Sequence, residues 1–138
     1  MKTIINTAFL AAAAVGLLAA PAIEAKPRLT GEEKLAKMLE GREAGEPRSC
    51  IATFDSNSLQ IIDKTALVYR SGKTIWVSRP ADPDSLDDSD ILVIKRFSGS
   101  QLCKLDMLHT VSRTGGFYTG NVMLGDFVPY TKVDKAEG

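Results

Sequence analysis

Cys50 and Cys103 are the two cysteines of the chain, and they are the first residues whose chemistry the sequence constrains. They are too far apart to form a Cys-x-x-Cys pair that could cycle between thiol and disulfide. Outside the cytosol, two such thiols are expected to join as one structural bridge. The bridge would close the chain between them into a loop, worth roughly 4 kcal/mol on the chain-entropy model. The alternative is a pair of buried free thiols. The second chemically suggestive stretch is Asp82-Pro83-Asp84-Ser85-Leu86-Asp87-Asp88-Ser89-Asp90, which carries five carboxylates in nine residues. Calcium favours several oxygen ligands, but the spacing does not suit an EF-hand loop. Counted from Asp82, Leu86 falls at the fifth position, Asp87 where glycine is needed, and Val93 where a bidentate Glu belongs. Asp82, Asp84, Asp87, Asp88 and Asp90 read as a solvated acidic loop between strands, a candidate binding loop, with an irregular calcium site as the alternative.

The remaining candidates lack partners. His109 is the single histidine, and zinc held by one histidine would have to draw on the cysteines or carboxylates as well. A Ser-His-acid arrangement has no Gly-x-Ser-x-Gly elbow to present its serine. Between Pro47 and Ala136 there is no glutamate, and Asp63 and Asp106 adjoin apolar runs where carboxylates commonly cap backbone amides. The expectation is no catalytic residue, no metal and no cofactor.

Residues 1–25 read as a secretory signal. Lys2 supplies the positive start, Ala8 to Ala20 the apolar run, and cleavage follows Ala25 or, alternatively, Ala22. Pro21 and Glu24 cut the run short of the roughly 20 apolar residues that a membrane span requires. The expected location is periplasmic or secreted, with no membrane insertion after cleavage. Lys plus Arg and Asp plus Glu both number 17 in the 138 residues, so no net field favours nucleic acid. With 44% hydrophobic and 25% charged residues, the mature chain fits one small domain.

Residues 26–48 read as an N-terminal helix and linker. Thr30-Gly31-Glu32-Glu33 matches a capping box, Leu35, Met38 and Leu39 share one helical face, and Gly41 offers a stop. The helix is too short to persist alone and must dock. Residues 49–133 read as a β-domain and 134–138 as a polar tail. Runs at Cys50–Phe54, Leu59–Ile62, Ala66–Arg70, Thr74–Arg79, Ile91–Phe97, Met107–Ser112 and Asn121–Tyr130 carry the composition of strands. Ser71-Gly72 is read as the loop of a hairpin, which sets Val68 opposite Ile75 and Leu67 opposite Trp76. Pro129 is tolerable only at an edge or bulge, which places the last run at the periphery. Among the aromatics, most of which read as core, Tyr118 beside Gly120 is expected to be exposed.

The order Leu-Ala-Lys-x-Leu-x-Gly-Arg from Leu35 to Arg42, Pro47-Arg48-Ser49-Cys50-Ile51, Ile62-Asp63, Ser98 to Asp106 around Cys103, and Leu124-Gly125-Asp126-Phe127-Val128-Pro129-Tyr130 resembles a family of small exported proteins of Gram-negative bacteria classed as a domain of unknown function. The resemblance spans roughly residues 30–133 and brings no activity, ligand or partner. It implies that many relatives carry two further cysteines, near Ser85-Leu86 and near Met123. Their joint absence here is what a second, mutually paired bridge would produce, which leaves Cys50 and Cys103 to each other.

The combined expectation is a mainly β, antiparallel barrel or sandwich of about six or seven strands, with one N-terminal helix and one disulfide. Its expected role is a non-catalytic binding or accessory module of the cell envelope, with a periplasmic protein or small ligand as partner. The alternative is an inhibitor that presents the acidic loop to an enzyme.

Overall fold

The computed structural model describes residues 25–54, 58–96 and 99–134. Residues 1–24, where the sequence leads one to expect a secretory signal, lie outside the described residues, as do Phe97 and residues 135–138 of the tail.

The helix α1 (Gly31–Leu39) forms as the capping box requires. The Glu33 amide donates to Thr30 Oγ1, and the Glu33 carboxylate accepts from the Thr30 amide at 2.7 Å. The chain then passes through Gly41, with φ +70°, into β1 (Arg42–Ala44). The rest is β2 (Cys50–Ala52), β3 (Leu59–Ile62), β4 (Ala66–Ser71), β5 (Thr74–Ser78), a 3-10 turn (Pro83–Ser85), β6 (Ile91–Lys95), β7 (Gln101–Cys103), β8 (Met107–Val111), β9 (Tyr118–Val122) and β10 (Phe127–Lys132).

These strands form three antiparallel sheets, ordered β1-β10-β5-β4-β3, β2-β7 and β6-β8-β9. The sheets do not close on one another, so the architecture is a sandwich rather than a barrel. Ten strands exceed the six or seven read from composition, for local reasons. β1 lies within the stretch read as a linker, β7 is only three residues long, and the run ending at Tyr130 is two strands separated by Met123–Asp126.

Two apolar clusters account for the layering. Leu35 of α1 packs with Ile62, Ala66, Val68, Ile75 and Val77 on the outer face of the five-stranded sheet. On the inner face, Leu67, Tyr69 and Phe127 meet Ile51, Leu102, Leu108 and Val122 of the two smaller sheets. β4 is thus buried on both faces, as expected of a strand with a helix on one side and a second layer on the other.

Two expectations of register are corrected. Val68 pairs with Val77, and Leu67 with Ser78, so the hairpin loop is Gly72-Lys73 rather than Ser71-Gly72. Gly72, with φ +56°, supplies the positive φ that a II′ turn needs at its first central position, and Ser71 remains in the ladder. The shift is two residues, so each side chain keeps its face while changing its partner. β10 is not peripheral but lies between β1 and β5. Pro129 is accommodated by a slip in register. Ala44 faces Tyr130 while Arg48 bridges to Phe127, which leaves one extra residue on the β1 side. There Pro129 offers only its carbonyl, which accepts from the Gly45 amide at 2.7 Å.

Candidate functional site

Cys50 and Cys103 sit directly opposite each other in the β2–β7 ladder, with Cα atoms 4.0 Å apart, and they form the disulfide. Their neighbours Ile51 and Leu102 are 3% and 0% exposed. Strand alternation therefore turns the cysteines outward, and Cys50 is exposed. The bond locks the entry to the β7–β8 turn. The Asp106 amide donates to the Cys103 carbonyl at 3.0 Å, and the Asp106 carboxylate accepts from the Cys103 amide at 2.7 Å. Asp106 is thus a buried carboxylate satisfying backbone, as its position beside an apolar run suggested. The Lys104 amide donates across to the Ser49 carbonyl at 2.8 Å.

A turn pinned at both ends forces its middle residue outward. Leu105 is 80% exposed, and Met107, the first residue of β8, is 63% exposed because Leu108 takes the inward position. Met123 follows β9 and is 72% exposed. It is held by its own backbone, since its carbonyl accepts from the Ala81 amide at 3.1 Å. Two residues on, the Gly125 carbonyl accepts from the buried Ser78 hydroxyl at 2.9 Å. A Cβ at Gly125 would lie 2.3 Å from the Arg79 carbonyl oxygen, so only glycine lets this segment lie so close to β5.

Leu105, Met107 and Met123 line one open cleft of about 590 Å³, with Asn121, Leu124 and Gly125 further along its wall. At the rim, Lys104 pairs with Asp126 at 2.9 Å, and Ser49 adds a longer hydrogen bond of 3.3 Å. The Lys104 hydrogen bond holds the Asp126 carboxyl below its usual range. The cleft is therefore apolar with an ion pair at its edge, within the size range typical of ligand sites.

The acidic loop is tied down along its length. Leu86, 1% exposed, plugs the inner core, and its carbonyl accepts from the Lys64 amide at 2.9 Å. Asp87 accepts from the hydroxyl and amide of Ser89, which lower its pKa. Asp88 pairs with Lys34 of α1 at 3.1 Å, and Asp90 accepts from the Thr119 hydroxyl at 2.6 Å. Asp82 occupies the N-cap position of the 3-10 turn and Asp84 lies within it, both exposed. The five carboxylates thus do not converge. Instead, Asp87 and Asp88 meet Asp63 of the β3–β4 turn, their oxygens within 4.8 Å of one another. That juxtaposition comes from the fold and not from spacing within the loop.

His109 stands on the outer face of β8, half-buried, opposite Asn121, with the Tyr118 ring 6.1 Å away. Tyr118 is 58% exposed, as its position suggested. Asp63 lies in the β3–β4 turn, Asp106 in the β7–β8 turn and His109 on β8.

Sequence reading missed Leu105, Met107 and Met123 as surface residues. Two signals were available. Leu105 is an apolar residue between Lys104 and Asp106 in a turn, and Val122-Met123-Leu124 is an unbroken apolar run of which at least one member must face outward. Comparison of the chain with family models, curated proteins and solved structures found no match.

Proposed function

We propose that this protein is a non-catalytic binding module of the cell envelope, and that the Leu105–Met107–Met123 cleft holds an apolar group of its partner or ligand. One observation carries the reading: three large apolar side chains, 63% to 80% exposed, line a single cleft. Contiguous apolar surface of this kind costs solubility and is kept where something covers it. Two of the three residues are methionines, whose unbranched thioethers adapt to differently shaped ligands. The envelope location is supported by the Cys50–Cys103 bridge and by the apolar run ahead of Pro21. No helix among the described residues is long and apolar enough to cross a membrane.

The test is a titration with the apolar fluorophore 1-anilinonaphthalene-8-sulfonate. Leu105→Asp and Met123→Asp, both at exposed positions, should each weaken probe binding about tenfold or more, the equivalent of ~1.4 kcal/mol, with melting temperature unchanged. Probe binding equal to that of the unmodified protein in both variants refutes the cleft as the binding surface.

A second reading, an inhibitor that presents the acidic loop, is favoured by the way Leu86, Lys64 and Ser89 hold that loop in one conformation. It fails if charge reversal of Asp84, Asp87 and Asp88 leaves binding to an identified partner unchanged.

A further inference from the structure

On the side of the sandwich away from β9, the inner core is not closed. β3 and β6 are both edge strands among the described residues, and a groove of about 540 Å³ runs between them. Four of its lining residues, Leu59, Ile61, Leu92 and Ile94, pack against the inner core yet stay only partly buried. β6 is an unusual strand to leave at an edge. Its sequence Ile91-Leu92-Val93-Ile94-Lys95 holds four consecutive β-formers with no proline and no charge before its last residue. Natural edges normally carry charges or bulges that prevent pairing with another chain.

The charges that flank β6 point to the occupant. Asp88 and Asp90 precede it, and Lys95 and Arg96 end and follow it, so the strand is acidic at its start and basic at its finish. A parallel copy would set like charges side by side. An antiparallel copy, with Val93 opposite Val93 of the second molecule, pairs all five strand residues and brings Asp90 opposite Arg96 and Ile91 opposite Lys95. Leu92 and Ile94, which face the core, then cover each other across the two-fold axis. Cross-strand pairs of opposite charge and of apolar type are the ones that stabilise an antiparallel ladder.

We infer that β6 is a self-pairing edge. Two copies of this chain join β6 to β6 about a two-fold axis through Val93, which converts two three-stranded sheets into one continuous six-stranded sheet and closes the open side of each core. The interface is isologous, so it stops at two copies. It lies on the edge opposite β9 and leaves the Leu105–Met107–Met123 cleft open.

The experiment is sedimentation equilibrium of the purified protein over a wide concentration range. The unmodified protein should be dimeric. Val93→Lys sets two ammonium groups opposite each other on the axis, at a position already half exposed, and should give a monomer with unchanged circular dichroism. Asp90→Lys, which turns both end pairs repulsive, should weaken dimerisation on the order of tenfold to a hundredfold. Adding Arg96→Asp to it should restore most of the affinity, a rescue that simple damage to the fold cannot produce. Met123→Asp should leave the dimer intact, which separates this surface from the cleft. A monomeric unmodified protein, a dimer indifferent to Asp90→Lys, or a double reversal no tighter than the single one overturns the inference.

Discussion

Replacing both cysteines with serine removes a crosslink between residues 53 positions apart, and its magnitude follows from what the fold keeps. Ile51 and Leu102, the neighbours of the cysteines, are anchored in the inner core at 3% and 0% exposure. β2 and β7 therefore retain their apolar contacts, and the loss falls mainly on the unfolded chain, which gains the freedom of an open loop. For a loop of this length the chain-entropy relation gives about 14 cal/mol/K, or about 4 kcal/mol at 25 °C. That is a large share of the roughly 5–15 kcal/mol by which small domains are stable. For a domain of this size it corresponds to a fall in melting temperature of roughly 15–25 °C. Differential scanning calorimetry of the double variant, and of the unmodified protein with and without reductant, measures it. The two reduced forms should agree. A fall under about 5 °C, or two alkylatable thiols in the untreated protein, refutes the reasoning.

Leu86→Ala empties a site 1% exposed between the sheets and should cost about 2–5 kcal/mol in urea unfolding, whereas a loss below about 1 kcal/mol would mean that the acidic loop is held by its polar bonds alone. Gly125→Ala drives a methyl group against the Arg79 carbonyl oxygen and should cost about 1–3 kcal/mol. It should also weaken probe binding in the adjacent cleft, and unchanged stability together with unchanged binding would show that the segment has room to move.

Much of the fold was legible because its causes are local. The capping box from Thr30 to Glu33 needs only four consecutive residues and appears as read. Runs such as Leu59–Ile62 and Met107–Val111 announce themselves by β-branched and apolar composition. The disulfide followed from the cysteine count and an expected exported location, with no geometry required. β1, by contrast, reads Arg-Glu-Ala, with nothing strand-like in composition. It is a strand because β10 offers it a ladder of free amides and carbonyls. Likewise, the hairpin turned at Gly72-Lys73 because φ at Gly72, and not the pairing of small residues in the sequence, decides where the chain can reverse.

The surfaces available for function belong to the second kind. Sequence alone set the cysteine pairing, the acidic loop, the helix and the predominance of strands, because each depends on composition or on residues a few positions apart. Whether Leu105, Met107 and Met123 face water together, whether Asp63 meets Asp87 and Asp88, and which strands end at an open edge were decided only by the tertiary structure. Those facts depend on which segments distant in the chain pack against one another, and side-chain alternation tells which residues share a face but not which face is left uncovered.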